Sequence, residues 1–360
     1  MTGYGACLVR GVQGAAERRL ARRLEHRVSR MAPNGTGRSR PDPFVGGALS
    51  EYRRVMIMTV LGPIDPDRLG FTLPHEHVMV DFSGAATTGP HRYDRDQVVR
   101  TMEPHLRSAL DAGVRSFVDC SPMYLARDPL VLRELALRTG MHIVTNTGQY
   151  KEPYLPEATF ALSAEELADQ WIAEWQGGID GSDVRPGFIK TAVEPEPLAA
   201  MQQKVIAAAA LTSRATGMTI GTHTCRGVPA LQVLRLLDRY GVAPRKWIFI
   251  HAHQEHDIGL LELVARSGCW IELDGIGPAN DNATLSTLLQ LLDAGFESQI
   301  LLSHDAGWYS VGEPGGGDVT PYTDLSTRFI PLMREFGVSD ESIHVMTVTN
   351  PARAFRIDES

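Results

Sequence analysis

Apolar and polar positions follow two alternating patterns from about residue 60 onward. Short runs of apolar and β-branched residues, which predict strands, are each followed by a longer stretch with helical periodicity. The eight predicted strands cover residues 71–80, 116–120, 142–147, 187–193, 218–224, 247–252, 270–274 and 299–303. The predicted helices cover residues 95–112, 129–139, 164–176, 198–216, 229–240, 258–267, 283–294 and 324–336. Eight strand-then-helix units predict an α/β fold, namely a closed (β/α)8 TIM barrel.

An open, doubly wound sheet is the alternative architecture. Such a sheet more often has fewer strands and a glycine-rich phosphate-binding loop after the first strand, and the sequence carries no such loop there. The length of 360 residues also suits one barrel of about 250 residues or more with added segments. The closed barrel is therefore the favoured prediction.

Residues 1–55 differ in composition from the rest of the chain. The first 54 residues hold eleven arginines and no lysine, and residues 34–47 are rich in glycine and proline. Because this composition does not favour a packed core, we expect residues 1–55 to be a basic, disordered extension or translated sequence upstream of the true start. A membrane-surface or targeting arm is the alternative. Residues 56–360 are then the barrel domain.

The remaining composition excludes several classes of partner. A net charge of -8 gives no reason to expect nucleic-acid binding. No run of eighteen apolar residues predicts a membrane span, and the N-terminus lacks the apolar region of a secretory signal. Four scattered cysteines, none in a C-x-x-C spacing, indicate neither a zinc knuckle nor a disulfide framework. We therefore expect a cytoplasmic protein.

Residues able to bind metal ions lie at the carboxyl ends of five predicted strands. In a barrel these ends meet at one face, where the loops that carry chemistry begin. We therefore expect the side chains to converge at the mouth of the barrel. The candidates are His75 and His77 on strand one, Lys190 on strand four, His223 on strand five, His251 on strand six and Asp305 after strand eight.

The spacing of His75 and His77 is informative because alternate residues of a strand point to the same face. Two neighbouring imidazoles are a natural pair of ligands for a metal such as zinc, while Glu76 points away from them. Two buried, hydrogen-bonded histidines or a surface pair are the alternatives. A short H-x-H motif is weak by itself, and it gains force from the other strand ends.

Lys190 is unusual because it ends an apolar strand, which directs its amine into the barrel mouth. Burying an unpaired ammonium is costly. A lowered pKa would give a neutral nucleophile or a Schiff base. Carbamylation by carbon dioxide would instead turn the amine into a carboxylate able to bridge two cations. The histidines and aspartate at the neighbouring strand ends favour carbamylation.

This set of residues resembles the phosphotriesterase-like branch of the amidohydrolase superfamily. The likeness extends over residues 58–357 and includes the segments 70–77, 222–224, 303–305 and 349–353. The resemblance implies two divalent ions, most often zinc, with cobalt, manganese or iron as alternatives. His75, His77 and Asp305 would bind the more buried ion, and His223 and His251 the more exposed one. Lys190, carbamylated, would bridge the two.

The resemblance also implies a reaction. The two metals would activate a shared water molecule, Asp305 would move its proton to the leaving group, and Tyr150 would orient the substrate or the leaving group. We expect a hydrolase acting on lactones or other carboxylic esters, with promiscuous organophosphate hydrolysis. A phosphotriesterase proper is the alternative within this chemistry. A Schiff-base lyase using Lys190 and a catalytically silent scaffold are alternatives of other classes.

Other polar residues near strand ends have open roles. His253 shares the face of His251 and could support it or replace it as the ligand, whereas His304 points opposite to Asp305 and is predicted to be structural. Lys151 and Arg226 could bind an anionic substrate group or be solvated loop charges. The glycine-rich segment 312–317 could be a mobile lid or a connector. By analogy with relatives, we expect a homodimer acting on a small molecule.

Overall fold

The computed structural model of the protein describes residues 55–195 and 197–358. Within them the chain forms thirteen strands in three sheets. Their bounds are β1 Val55–Thr59, β2 Gly62–Ile64, β3 Thr72–Val80, β4 Ser116–Asp119, β5 His142–Val144, β6 Asn146–Thr147, β7 Phe188–Ala192, β8 Thr219–His223, β9 Trp247–Ile250, β10 Trp270–Leu273, β11 Ile300–Leu302, β12 Gly307–Ser310 and β13 Ile357–Asp358. The predicted extension 1–55 lies outside the described residues, apart from its last position.

All eight predicted barrel strands are confirmed. Strands β6 to β11 pair in sequence order as one parallel sheet, and β3, β4 and β5 pair in parallel in a second sheet. The predicted strand 142–147 is the two short segments β5 and β6, separated by Thr145. Between β3 and the end of β11, the backbone nitrogen of Asp305 donates to the carbonyl of His75 at 3.1 Å. This contact closes the parallel strands into the (β/α)8 barrel.

The helices follow the predicted pattern closely. They are α1 Arg95–Asp111, α2 Pro129–Thr139, α3 Glu157–Ala161, α4 Ala164–Gly177, α5 Ala200–Thr216, α6 Gly227–Arg239, α7 Ile258–Ala265, α8 Asp281–Asp293, α9 Ile330–Glu335, α10 Asp340–His344 and α11 Asn350–Ala354. The predicted helix 324–336 starts with a π-helical segment, Leu325–Phe329, before α9. In the ranges described, no helix combines the length and apolar character needed to cross a bilayer.

An apolar layer fills the barrel below the candidate site. Phe188 on β7 and Ile248 on β9 belong to a buried cluster that also contains Ile57 of β1 and Phe355, which follows α11. Phe188 lies two residues before Lys190, so the two side chains point to the same face of β7. The strands therefore present apolar side chains deeper in the barrel and polar ones toward the mouth.

Strand β12 extends the eighth unit beyond the sequence prediction. Residues 307, 309 and 310 pair in parallel with residues 77, 79 and 80 of β3. The loop after the last barrel strand is thus hydrogen-bonded to the strand that carries His75 and His77. The glycine-rich segment after β12 forms a short 3-10 turn, Pro314–Gly316. Its predicted role as a lid stays a prediction.

Gly148 connects the third barrel strand to its loop at a point where only glycine fits. Its φ is 103°, and a Cβ there would lie 2.4 Å from the carbonyl oxygen of Lys190. We expect Gly148→Ala to lower the free energy of unfolding by about 3 kcal/mol or more, because the strained φ adds to a clash with backbone. Denaturant unfolding would measure the loss.

Gly140→Ala is the matched control for this prediction. Gly140 also has a positive φ, 75°, but a Cβ added at this position would meet no other atom within 4 Å. We expect this variant to lose only about 1 kcal/mol. Equal losses in the two variants would contradict the argument that close approach to Lys190, rather than φ alone, requires glycine at position 148.

Candidate metal centre

Two histidines and one aspartate bring their ligand atoms together at the mouth of the barrel. Nε2 of His77 lies 3.1 Å and Nε2 of His75 lies 3.6 Å from the same oxygen, Oδ1 of Asp305. One ligand atom from each residue lies within 4.8 Å of the other two, the spacing of groups that can share one ion. His75 and His77 are buried, and the Asp305 side chain is 25% exposed.

Hydrogen bonds fix the orientation of His77. Its Nδ1 lies 2.8 Å from the hydroxyl of Ser121, and this hydroxyl donates to the carbonyl of Met79 at 2.6 Å. Since the Ser121 proton is used there, Nδ1 of His77 must be the donor in the first bond. With the proton on Nδ1, the lone pair of the ring lies on Nε2, facing Asp305. This is the tautomer required of a metal ligand.

His75 is oriented by two carboxylates. Its Nδ1 lies 2.7 Å from Oε1 of Glu272 and 2.9 Å from Oδ2 of Asp274. Burial, followed by the nearby charge of Lys190, lowers the pKa of His75 to about 3, so the ring is neutral at ordinary pH. With its proton on Nδ1, His75 also presents a lone pair on Nε2 toward Asp305.

Glu272 and Asp274 were not predicted as site residues. They stand two apart on and just after β10, so their side chains share a face, and both are buried. Burial and the charge of Asp274 raise the pKa of Glu272 well above its usual value. Although burial opposes it, the nearby histidines, His251 above all, lower the pKa of Asp274. Of the two carboxyl groups, Asp274 therefore holds a negative charge more readily than Glu272.

The other two predicted histidines lie next to this group. The ring of His251 is 5.0 Å from that of His75 and 4.5 Å from that of His223, measured between centroids. Nδ1 of His251 is 3.0 Å from Oδ2 of Asp274. His75, His251 and Asp274 also have ligand atoms within 4.8 Å of one another. Burial, then the charges of His251 and Lys151, lowers the pKa of His223 well below its usual value.

Lys190 is almost completely buried, with 2% of its surface exposed. It lies on β7, opposite Gly221 of β8. Its charge lowers the pKa of both His75 and His223, which places the amine within electrostatic reach of both halves of the site. The predicted carbamylation stays a prediction.

Two of the candidate ligands have strained backbones. His251 has φ 61° and Asp305 has φ 57°, in the left-handed region that non-glycine residues seldom occupy. Each residue follows the end of a barrel strand, β9 or β11. Strain of this kind costs about 1–3 kcal/mol and concentrates at functional sites. The fold holds both side chains toward the mouth despite this cost.

Glu76 and His304 form a buried contact outside the barrel interior. One oxygen of Glu76 lies 2.5 Å from Nδ1 of His304 and accepts from the Ser303 hydroxyl at 2.7 Å. The other oxygen accepts from the backbone nitrogen of Ala306 at 2.8 Å. Nε2 of His304 accepts from the Leu325 nitrogen. These bonds attach the segment around Asp305 to the strand that carries His75 and His77.

The remaining predicted residues surround the site. Nδ1 of His253 lies 2.9 Å from Oδ1 of Asp274, and its role as support for His251 or as the ligand in its place stays a prediction. Arg226 donates to the carbonyl of Gln254, which ties two loops together. The Tyr150 ring lies 5.3 Å from that of His223, and Nζ of Lys151 lies 3.5 Å from Nε2 of His223. His256 is exposed.

The donor set fits a cation. Lone pairs on Nε2 of His75 and His77 both face Oδ1 of Asp305, a buried oxygen with no hydrogen-bond partner in the described chain. Three electron-pair donors directed at one another repel unless a positive charge lies between them. Imidazole nitrogen with carboxylate oxygen is a donor set for zinc and related divalent ions. The tightly oriented histidines are typical of metal ligands.

Comparisons with known proteins agree with this geometry. The model of the phosphotriesterase family matches residues 55–355. A phosphotriesterase homology protein of Escherichia coli is 29% identical, over 81% of this chain and 99% of that protein. An aryldialkylphosphatase of Saccharolobus solfataricus is 29% identical, over 81% of this chain and 96% of that protein. One solved structure comes from work that engineered organophosphate hydrolysis activity from a weak promiscuous lactonase template. It is 31% identical, over 83% of this chain and 99% of that chain, and superposes with a TM-score of 0.76.

Proposed function

The chain belongs to the phosphotriesterase family and is a hydrolase, and from that premise we propose that it uses two divalent metal ions to hydrolyse lactones or other carboxylic esters. Organophosphate hydrolysis is the proposed side activity. The observation that carries the proposal is the convergence of His75, His77 and Asp305 on one point, with ligand atoms within 4.8 Å of one another.

We assign the metal ligands as follows. His75, His77 and Asp305 would hold the more buried ion, and His223 and His251 would hold the more exposed one. Lys190, carbamylated by carbon dioxide, would supply a carboxylate to both. Bound divalent ions supply an activated water at neutral pH and polarise the oxygen of the scissile group. Zinc is the preferred ion, with cobalt, manganese or iron as alternatives.

We propose that Asp305 moves a proton during the reaction. Burial opposes its ionisation, but His75, His77 and His251 lower its pKa below the usual value, so it begins as a carboxylate. A carboxylate at that position accepts the proton of the attacking water and donates it to the departing oxygen. For a lactone, that oxygen belongs to the opened ring.

We propose that Tyr150 donates a hydrogen bond to the substrate. Its ring lies beside His223, and burial keeps the pKa of its hydroxyl well above the usual value, so the proton is retained. We expect Tyr150→Phe to lower kcat/KM for lactones by about 10- to 100-fold, the loss typical of one hydrogen bond to developing charge. Steady-state kinetics would measure it, and an unchanged kcat/KM would contradict the role.

The decisive test of the proposal is metal-dependent hydrolysis. Chelator-treated protein would be reconstituted with zinc, cobalt or manganese and assayed against a panel of lactones, aryl esters and paraoxon-type triesters. We expect two equivalents of metal per chain and lactone turnover that disappears with chelator and returns with metal. Paraoxon-type triesters turned over faster than every lactone would identify a phosphotriesterase proper instead.

The same experiment separates the other classes. Chelator-resistant turnover of a carbonyl compound, with borohydride trapping it on Lys190, would favour the Schiff-base lyase. No hydrolysis across the whole panel, with metal bound, would favour a scaffold. The homodimer and the cytoplasmic location expected from the sequence stay predictions, which sedimentation and fractionation would check.

A further inference from the structure

A lysine and a glutamate meet at the rim of the candidate metal centre, and the proposed reaction uses neither. Lys151 follows β6 and Glu194 follows β7, so the pair spans two neighbouring strand ends. Nζ of Lys151 lies 3.1 Å from Oε2 of Glu194. The lysine side chain is 16% exposed and the glutamate side chain 46% exposed. The ammonium is therefore held in the mouth of the barrel rather than extended into solvent.

The ammonium also lies close to a proposed metal ligand. Nζ of Lys151 is 3.5 Å from Nε2 of His223. Sγ of Cys225 also lies 3.6 Å from this nitrogen, so Nδ1 of His223 is the nitrogen left for an ion. Because a zinc–nitrogen bond is about 2.1 Å long, an ion on Nδ1 would lie within about 8 Å of the ammonium. Two positive charges this close in a partly buried site favour an additional anion nearby. The half-exposed Glu194 is only a partial counter-charge.

A cavity begins at this ion pair. Its volume is about 280 Å³, and its lining includes the charged residues Lys151, Glu152 and Glu194, the ring of Tyr150 and the apolar side chains of Leu155, Met201 and Val205. It thus adjoins the residue proposed to orient the leaving group. A substrate whose reacting carbonyl meets the more exposed ion would place its leaving-group carbons, two or three bonds away, at this entrance.

We propose that Lys151 binds a carboxylate on the leaving-group side of the substrate, so that the preferred substrates are anionic lactones or esters. This inference rests on the proposed function and narrows its substrate class. Glu194 acts as a displaceable counter-ion: it holds the ammonium in place until the substrate carboxylate takes over the contact. The cavity receives the remainder of the leaving group.

A pair of matched substrates tests the charge preference. 5-Oxotetrahydrofuran-2-carboxylate carries the carboxylate on the carbon attached to the ring oxygen, and its carboxamide is the neutral match. We expect Lys151→Met to lower the ratio of kcat/KM for carboxylate over carboxamide by about 10- to 100-fold, mainly through KM, since a charged hydrogen bond is lost. Lys151→Arg should restore part of the ratio, and Glu194→Gln should raise it.

Arg226→Met is the control, because it removes another positive charge that follows a strand end. Its guanidinium is engaged by the carbonyl of Gln254, so we expect the carboxylate-to-carboxamide ratio to stay within about twofold of wild type. A ratio that falls equally in the two variants would reflect the summed electrostatic potential at the mouth of the barrel rather than one specific contact. That result would overturn the assignment to Lys151.

Binding of an unreactive analogue separates this inference from the proposed reaction. 3-Oxocyclopentane-1-carboxylate replaces the ring oxygen by carbon, and calorimetry would compare it with its carboxamide on zinc-loaded and chelator-treated protein. We expect the carboxylate to bind wild type at least 10-fold more tightly than the carboxamide, and Lys151→Met to remove that difference. If no lactone is hydrolysed but this difference appears, only the proposed function fails. Equal binding by wild type and Lys151→Met overturns the inference.

Discussion

Asp305→Asn is expected to lower kcat/KM by about 10³- to 10⁴-fold while leaving the fold intact, because the proposed proton acceptor and an anionic metal ligand are lost together. Asparagine keeps the size of the side chain and tolerates the φ of 57° at this position better than alanine does. The backbone bond from residue 305 to His75 is also retained. Steady-state kinetics would measure kcat/KM, metal analysis would measure the bound metal, and thermal unfolding would show whether the fold is intact.

Asp318→Asn is the matched control for this prediction. Asp318 is an exposed residue of the same loop region, so the substitution makes the same change of charge outside the site. We expect its kcat/KM to stay within about twofold of wild type. If Asp305→Asn kept near-wild-type turnover, proton transfer would have to be assigned to another group. If the Asp305→Asn variant unfolded, the strained backbone at position 305 would require the charged carboxylate for its stability.

The barrel was predictable from the sequence because each unit repeats an apolar strand followed by an amphipathic helix. Runs such as 247–250 are uniformly apolar, as expected for strands buried on both faces, and the following helices keep one apolar side. The predicted ligands followed from position, since His223 and Asp305 stand where parallel strands end at the mouth. Strand β12 was missed because it is short and is stabilised by pairing with β3, which lies more than two hundred residues earlier in the chain.

The supporting carboxylates were harder to predict for a physical reason. Glu272 and Asp274 alternate within an otherwise apolar strand, a pattern that could have indicated a polar face directed into the barrel. Their function depends on contacts with His75, almost two hundred residues earlier in the chain, which no local pattern shows. The contact between Glu76 and His304 was missed for the same reason. The chemical state of Lys190 is likewise absent from any sequence pattern.

Lys190→Met is expected to lower kcat by about 10³-fold or more and to reduce bound metal from two equivalents per chain toward one, because the substitution removes the proposed bridging carboxylate. Methionine fills similar space on an apolar strand, which limits the structural loss. Metal analysis after dialysis, with kinetics, would measure both effects. A variant that kept two metals and full turnover would exclude Lys190 as the bridge.

The carbamate itself has a direct spectroscopic test with its own control. Wild-type protein loaded with metal in 13C-bicarbonate should show one carbamate carbonyl resonance that is absent from Lys190→Met. Lys246→Met should retain the resonance, because Lys246 lies at the opposite end of the barrel, where it donates to the carbonyls of Gly217 and Arg356. That variant loses about 1–3 kcal/mol of stability through two unpaired carbonyls but keeps its metals. A resonance that disappears equally in both variants would show that the signal reports on folding rather than on a modified amine at the metal centre.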